Sequence, residues 1–179
     1  FFKKLLLNNL TFFDTQFKLL ISDPVYNISD FKTRFDESTI TGKSKIFQNT
    51  KKVVGDLYFK EFMVKEGYFG KTKYDLFDGE FNCKVNFNYF IGRYENNLKS
   101  LNSSGNCASQ NIKLKGIDIE EIAKSVDSID DFSTLIKTIN PQKWTGVSNI
   151  NRININFETK NGVVSFKNTS ANHNNLDLK

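Results

Sequence analysis

Residues 81–87 read FNCKVNF. Every second residue is apolar: Phe81, Cys83, Val85 and Phe87 alternate with Asn82, Lys84 and Asn86. A period of two sends these sets to opposite sides of an extended chain, so the stretch is a strand with one apolar and one polar face. Downstream, INRININFE (150–158) repeats the pattern, with Ile153, Ile155 and Phe157 set against Arg152, Asn154 and Asn156. Upstream, VVGDLYFKEF (53–62) puts Leu57 and Phe59 together. Asn161–Gly162 separates INFETK from VVSFKN, and a two-residue type I′ turn needs positive φ at both positions, which Asn and Gly supply. Only Pro24 and Pro141 interrupt the backbone donors. The chain therefore reads as mainly β, in antiparallel strands.

Glycine recurs at or near strand starts: Gly42, Gly55, Gly79 and Gly105. Such positions relieve crowding where strands bend or bulge, which suggests a meander that coils as it grows. At the N-terminus, FFKKLLLNNLTFF (1–13) is apolar but broken by Lys3, Lys4, Asn8 and Asn9. It reads as a strand pair turning at Asn8–Asn9 rather than a signal segment.

One stretch departs from the strand pattern. In NIKLKGIDIEEIAKSV (111–126) the alternation of Ile112 and Leu114 ends at Gly116, and helical spacing begins. Ile119, Ile122, Ala123 and Val126 form one apolar stripe, and Phe132, Leu135, Ile136 and Ile139 a second. Asp118 with Glu121 makes a capping-box-like start. Asp127 or Ser128 caps the second helix, Asp130 and Asp131 suit its first turn, and Pro141 stops it. The expectation is a helix pair, about 119–126 and 129–139, packed on the apolar face of the sheet.

The chain has 179 residues, of which 39% are hydrophobic and 18 are Phe. It begins at Phe1, which reads as a fragment or a processed chain. No run of about 18 apolar residues is present to span a membrane. The net charge of +5 is dispersed, which favours a compositional bias over a nucleic-acid partner. Cys83 and Cys107 read as two buried thiols, with a disulfide as the alternative in an oxidising compartment. Gly42-Lys43-Ser44 and Gly70-Lys71-Thr72 lack the first P-loop glycine, since Glu37 and Lys65 stand in its place. His173 is the single histidine, so neither a zinc set nor a Ser–His or Cys–His pair is supported. Four Asn-x-Ser/Thr sites (Asn9, Asn27, Asn102, Asn168) are at chance level in so Asn-rich a chain. Nothing points to catalysis, a metal or a cofactor. The apolar strand faces have two readings: a core closed by the helices, or a trough partly open to acyl chains.

From about Tyr74 onward the chain resembles the C-terminal region of the AsmA family, relatives of TamB. The matching features are Phe77-Asp-Gly79-Glu-Phe81, then Gly105 to Lys115, Gly116-Ile117-Asp118-Ile119, the helical stretch, Ile153, Ile155 and Phe157, and Asn161-Gly162-Val163-Val164. Residues 1–70 fit the preceding strands of such a sheet less specifically, and 71–179 would be the AsmA-like region. The resemblance implies a strongly twisted, curled, open sheet forming an apolar groove. It implies a non-enzymatic bacterial protein with its body in the periplasm and an inner-membrane anchor outside this chain. Such proteins are implicated in moving phospholipid toward the outer membrane and in envelope maintenance. In that frame Phe81, Val85, Phe87, Ile112, Leu114, Ile153, Ile155 and Phe157 are the groove candidates. The plug candidates are Ile119, Ile122, Val126, Phe132, Leu135, Ile136 and Ile139. The rival is a structural or interaction domain that caps a longer groove or docks a partner, with no lipid of its own.

Overall fold

A computed structural model describes residues 1–7, 10–63, 77–92, 94–116, 118–127, 145–173 and 176–178. Its main feature is one open antiparallel sheet, with nine strands of six residues or more and two short ones. The long strands are β1 (Phe2–Leu7), β2 (Leu10–Ser22), β3 (Val25–Phe35), β4 (Ser38–Phe47), β5 (Lys52–Met63), β7 (Glu80–Phe90), β8 (Asn102–Lys115), β9 (Val147–Lys160) and β10 (Val163–His173). The short ones are β6 (Phe77–Asp78) and β11 (Leu176–Leu178). The order along the sheet is the order along the chain, from β1 through β5 and β7 to β11, with β6 pairing β8. The ladder is continuous from β5 to β7, so residues 1–63 and the later strands share one sheet. Leu7 lies opposite Leu10, as a β1–β2 strand pair requires, while Asn8 and Asn9 lie outside the described residues. Asn161 and Gly162 both have positive φ in the β9–β10 turn, as the hairpin signal demanded.

The pairing register decides which side chains share a face. Ile40, Phe59, Cys83, Cys107 and Ile155 lie directly opposite one another on successive strands. The next row is Gly42, Leu57, Val85, Gly105, Phe157 and Phe166. Residues paired across an antiparallel ladder point to the same side, so both rows are on one face, here called the disulfide face. The alternation of FNCKVNF and INRININFE is thus realised, and the Lys and Asn residues of these strands fall on the back face.

Of the four glycines, Gly79, at φ +151°, stands at the break between β6 and β7, but the other three do not mark bends. Gly42, Gly55 and Gly105 lie inside strands beneath larger neighbours. A Cβ on Gly105 would lie 2.4 Å from the Phe157 ring, and one on Gly55 would lie 2.7 Å from Phe87. Their role is to receive the cross-strand side chain opposite them. The irregularities sit instead at non-glycine residues with positive φ. Register shifts flank Asp14, Asp30, Glu61 and Asn168. Asn111, also at positive φ, breaks the alternation of β8, so that Ser109 and Ile112 are both buried. Each is a bulge, in which one extra residue is absorbed so that the following residues keep their side of the sheet.

Bulges leave ladder carbonyls without their usual partners, and buried hydroxyls take them up. Thr33 Oγ1 donates to Phe13 O at 3.2 Å, next to the Asp14 bulge. Ser38 Oγ donates to Glu61 O, itself a bulge residue, at 3.0 Å. Ser109 Oγ donates to Glu80 O, beside the break at Gly79. Thr33 also shares a 2.7 Å hydroxyl–hydroxyl bond with Thr15, and all four hydroxyl residues are buried. A buried carbonyl left unpaired costs about 1–3 kcal/mol. The isosteric change Thr33→Val is therefore expected to lower stability in urea denaturation by about that amount. Thr41→Val, on the back face, should stay within about 0.5 kcal/mol of the parent.

Among the described residues two short helices accompany the sheet: α1 (Tyr94–Ser100), between β7 and β8, and α2 (Ile119–Asp127), after β8. The alternation gave no sign of α1. Its last residue is tied to β7, as Phe90 N donates to Ser100 Oγ at 3.0 Å, and its middle to the segment after β7, as Gly92 N donates to Asn97 Oδ1 at 2.6 Å. The expected helix pair is not present as a pair: α2 is the one helix described in that stretch, and 129–139 lies outside the described residues.

Candidate functional site

The eight groove candidates fall on one face, but in two environments. Phe81, Ile112 and Ile153 are buried, and with Ile119 and Ile150 they form a compact core cluster. Cys83, Cys107, Leu114 and Ile155 pack against that cluster while half-buried. Val85, Phe87 and Phe157 are half-buried further along the same strands.

Helix α2 creates the difference. Gly116, at φ +85°, turns the chain out of β8, and its N–H donates to Gly146 O at 2.8 Å. Asp118 then caps the helix, its Oδ1 accepting from Glu121 N at 3.0 Å. This satisfies one of the donors that a helix start leaves free. The next free donor, Ile119 N, is buried and bonds to Ser148 Oγ on β9 at 2.8 Å. That bond seats Ile119 among Phe81, Ile112, Ile150 and Ile153. Of the plug candidates, Ile119 is thus in the core and Ile122 is half-buried. The Val126 side chain and all of Phe132, Leu135, Ile136 and Ile139 lie outside the described residues. Ser148 was not legible as a contributor, because a serine in a strand carries no helix-docking signal of its own.

The cysteines are not two thiols. Cys83 and Cys107 are directly opposite on β7 and β8 and are joined by a disulfide, with Cα atoms 4.1 Å apart. Both residues are extended and in phase with the apolar face, so register alone brings the sulfurs together. The linked residues are 24 apart in sequence. A closed loop of that size restrains the unfolded chain by roughly 3 kcal/mol.

The back face is polar and charged. Asn106 Nδ2 donates to Asn156 Oδ1 at 2.9 Å between β8 and β9. Hydrogen bonding from Lys167, with a second from Lys160, holds the Glu158 carboxyl below its ordinary range. Asp30 raises Lys18 by a hydrogen bond and by its charge, at 2.7 Å. These exposed pairs contribute little to stability. Among the described residues no group of three or more His, Cys, Asp or Glu is placed to hold a metal, and no helix is long and apolar enough to cross a membrane.

No family model, curated protein or solved structure matches this chain.

Two outcomes follow from this geometry. Ser148→Ala leaves Ile119 N–H buried without a partner, so amide exchange across α2 should quicken well before the β8–β9 ladder opens. Reducing the disulfide, or replacing it as Cys83→Ser/Cys107→Ser, should lower stability in urea by roughly 3 kcal/mol.

Proposed function

We propose that this chain is a non-enzymatic, AsmA-like segment whose disulfide face contributes to an apolar groove for phospholipid acyl chains. The observation that carries this reading is the register. It lines up Leu57, Val85, Phe157 and Phe166 across four strands of a sheet that does not close. Phe166 remains 70% exposed, and the other three are half-buried. An acyl chain laid along such a row removes its own methylenes from water at about 0.8 kcal/mol per CH₂. The row would curl into a trough as the strands twist. The disulfide is in keeping with an oxidising compartment such as the periplasm. The inner-membrane anchor would lie outside this chain, and the role would be phospholipid movement toward the outer membrane and envelope maintenance.

A second reading has its own observation. At the α2 end the same face is closed by Ile119, and Phe81, Ile112 and Ile153 are core residues there. In that reading the region is an ordinary packed end that caps a longer groove or docks a partner. Of the groove candidates, Val85, Phe87 and Phe157 then carry the groove reading, with Ile155 at the margin of the core.

Site-specific photocrosslinkers at Val85 and Ile155, in the protein expressed in its own envelope, separate the two. The groove reading expects phospholipid adducts at both positions and none at Lys84 or Asn156 on the back face. Absence of lipid at Val85 and Ile155, with adducts only to protein, sinks the groove and leaves the docking domain.

A further inference from the structure

The back face of the sheet is more than a solvated surface. On its middle strands three large side chains stay exposed: Val54 at 39%, Tyr58 at 44% and Phe90 at 49%. Each lies directly opposite a lysine. Val54 faces Lys45, Tyr58 faces Lys84, and Phe90 faces Lys52. None of these lysines makes an ion pair among the described residues, whereas Lys43, between them, is neutralised by Asp56 at 3.7 Å. Lys84 instead lies over the Tyr58 ring, 5.6 Å from its centroid. The result is a set of lysines on β4, β5 and β7, without ion pairs among the described residues, that stand beside exposed apolar groups on either side of the Lys43–Asp56 row.

Single exposed apolar residues are ordinary, but this pairing is a two-part recognition surface. Lysines attract a surface of negative charge, and each contributes a factor of about five in binding when held near an anionic bilayer. Apolar side chains between them gain by entering the boundary between headgroups and acyl chains. Aromatic and basic side chains on a sheet also suit single-stranded nucleic acid. The disulfide on the other face argues against that partner, because persistent disulfides belong to compartments outside the cytosol. We propose that the back-face patch of Lys45, Lys52, Lys84, Val54, Tyr58 and Phe90 docks the sheet against the anionic headgroup surface of a membrane. The surface is independent of the apolar groove, since it uses the opposite side of the same strands.

Flotation with vesicles tests it. The purified, oxidised chain should bind vesicles of phosphatidylcholine with about a third phosphatidylglycerol and leave pure phosphatidylcholine unbound. Raising the salt should weaken the binding. Lys45→Gln/Lys52→Gln/Lys84→Gln should weaken it by more than about tenfold, and Tyr58→Ser/Phe90→Ser should weaken it without changing the salt dependence. Lys124→Gln on α2 removes one charge from the other side of the sheet and should leave binding within about twofold, unlike Lys84→Gln alone. The proposal is overturned by equal binding to both vesicle types, by an unchanged triple variant, or by tighter binding to a single-stranded oligonucleotide that depends on the same residues. Photocrosslinking at Val85 and Ile155 reads the groove separately, so failure of either proposal leaves the other standing.

Discussion

The structure depends on keeping parity across a long ladder. In a sheet, a slip of one residue moves every following side chain to the other side. Strands such as β8 and β9, at 14 residues each, offer many chances to lose phase as they twist. Asp14, Asp30, Glu61, Asn111 and Asn168 take up the extra residue in a left-handed conformation. The alternation resumes beyond each of them on the correct side. Asp and Asn tolerate that conformation better than most residues, and Glu61 is the exception. Thr33, Ser38 and Ser109 then bond the carbonyls left beside these breaks. Bulge and hydroxyl act as a unit. The bulge sets the phase, and the hydroxyl keeps a buried carbonyl from going unpaired.

The second constraint is that one sheet has two faces and, among the described residues, only α1 and α2 besides its own strands. The Asn and Lys residues of β7 and β9 settle which side meets water. On the other side, Ile119 covers Phe81, Ile112, Ile150 and Ile153, while the row through Leu57, Val85 and Phe157 is only half-buried. An ordinary core and a ligand surface can share a face in this way because burial is decided locally, by what stands above each row.

Much of this was legible in the alternation. FNCKVNF and the run from Arg152 to Phe157 gave both the strand character and the correct side for each residue, while Ile150, buried together with Ile153, falls outside that alternation. Asn161–Gly162 gave its hairpin, and Gly116 with Asp118 gave the strand end and the helix cap. The bulges were not legible, since Asp and Asn at positive φ look like any polar residue of a strand. Gly79 does mark a break, while Gly42, Gly55 and Gly105 misled for a related reason. Their absence of a side chain serves the ring on the neighbouring strand, as at Gly105 under Phe157, and that partner is far away in sequence. The disulfide needed the β7–β8 register to be recognised. The docking of α2 needed Ser148, a residue with a signal for neither helix nor site.

Each long strand pairs with the strands next to it in the chain, so the sheet behaves as a one-dimensional stack. In such a stack stability is a sum of neighbour interfaces, and opening begins at the free ends, here β1 on one side and the β10–β11 edge on the other. The Cys83–Cys107 link is a rung that opening cannot pass while it is oxidised. It divides the stack into two zippers that fray from their own ends toward a shared fixed point. The redox state of one covalent bond would therefore set whether loss of order at one edge stays there or runs through the whole sheet.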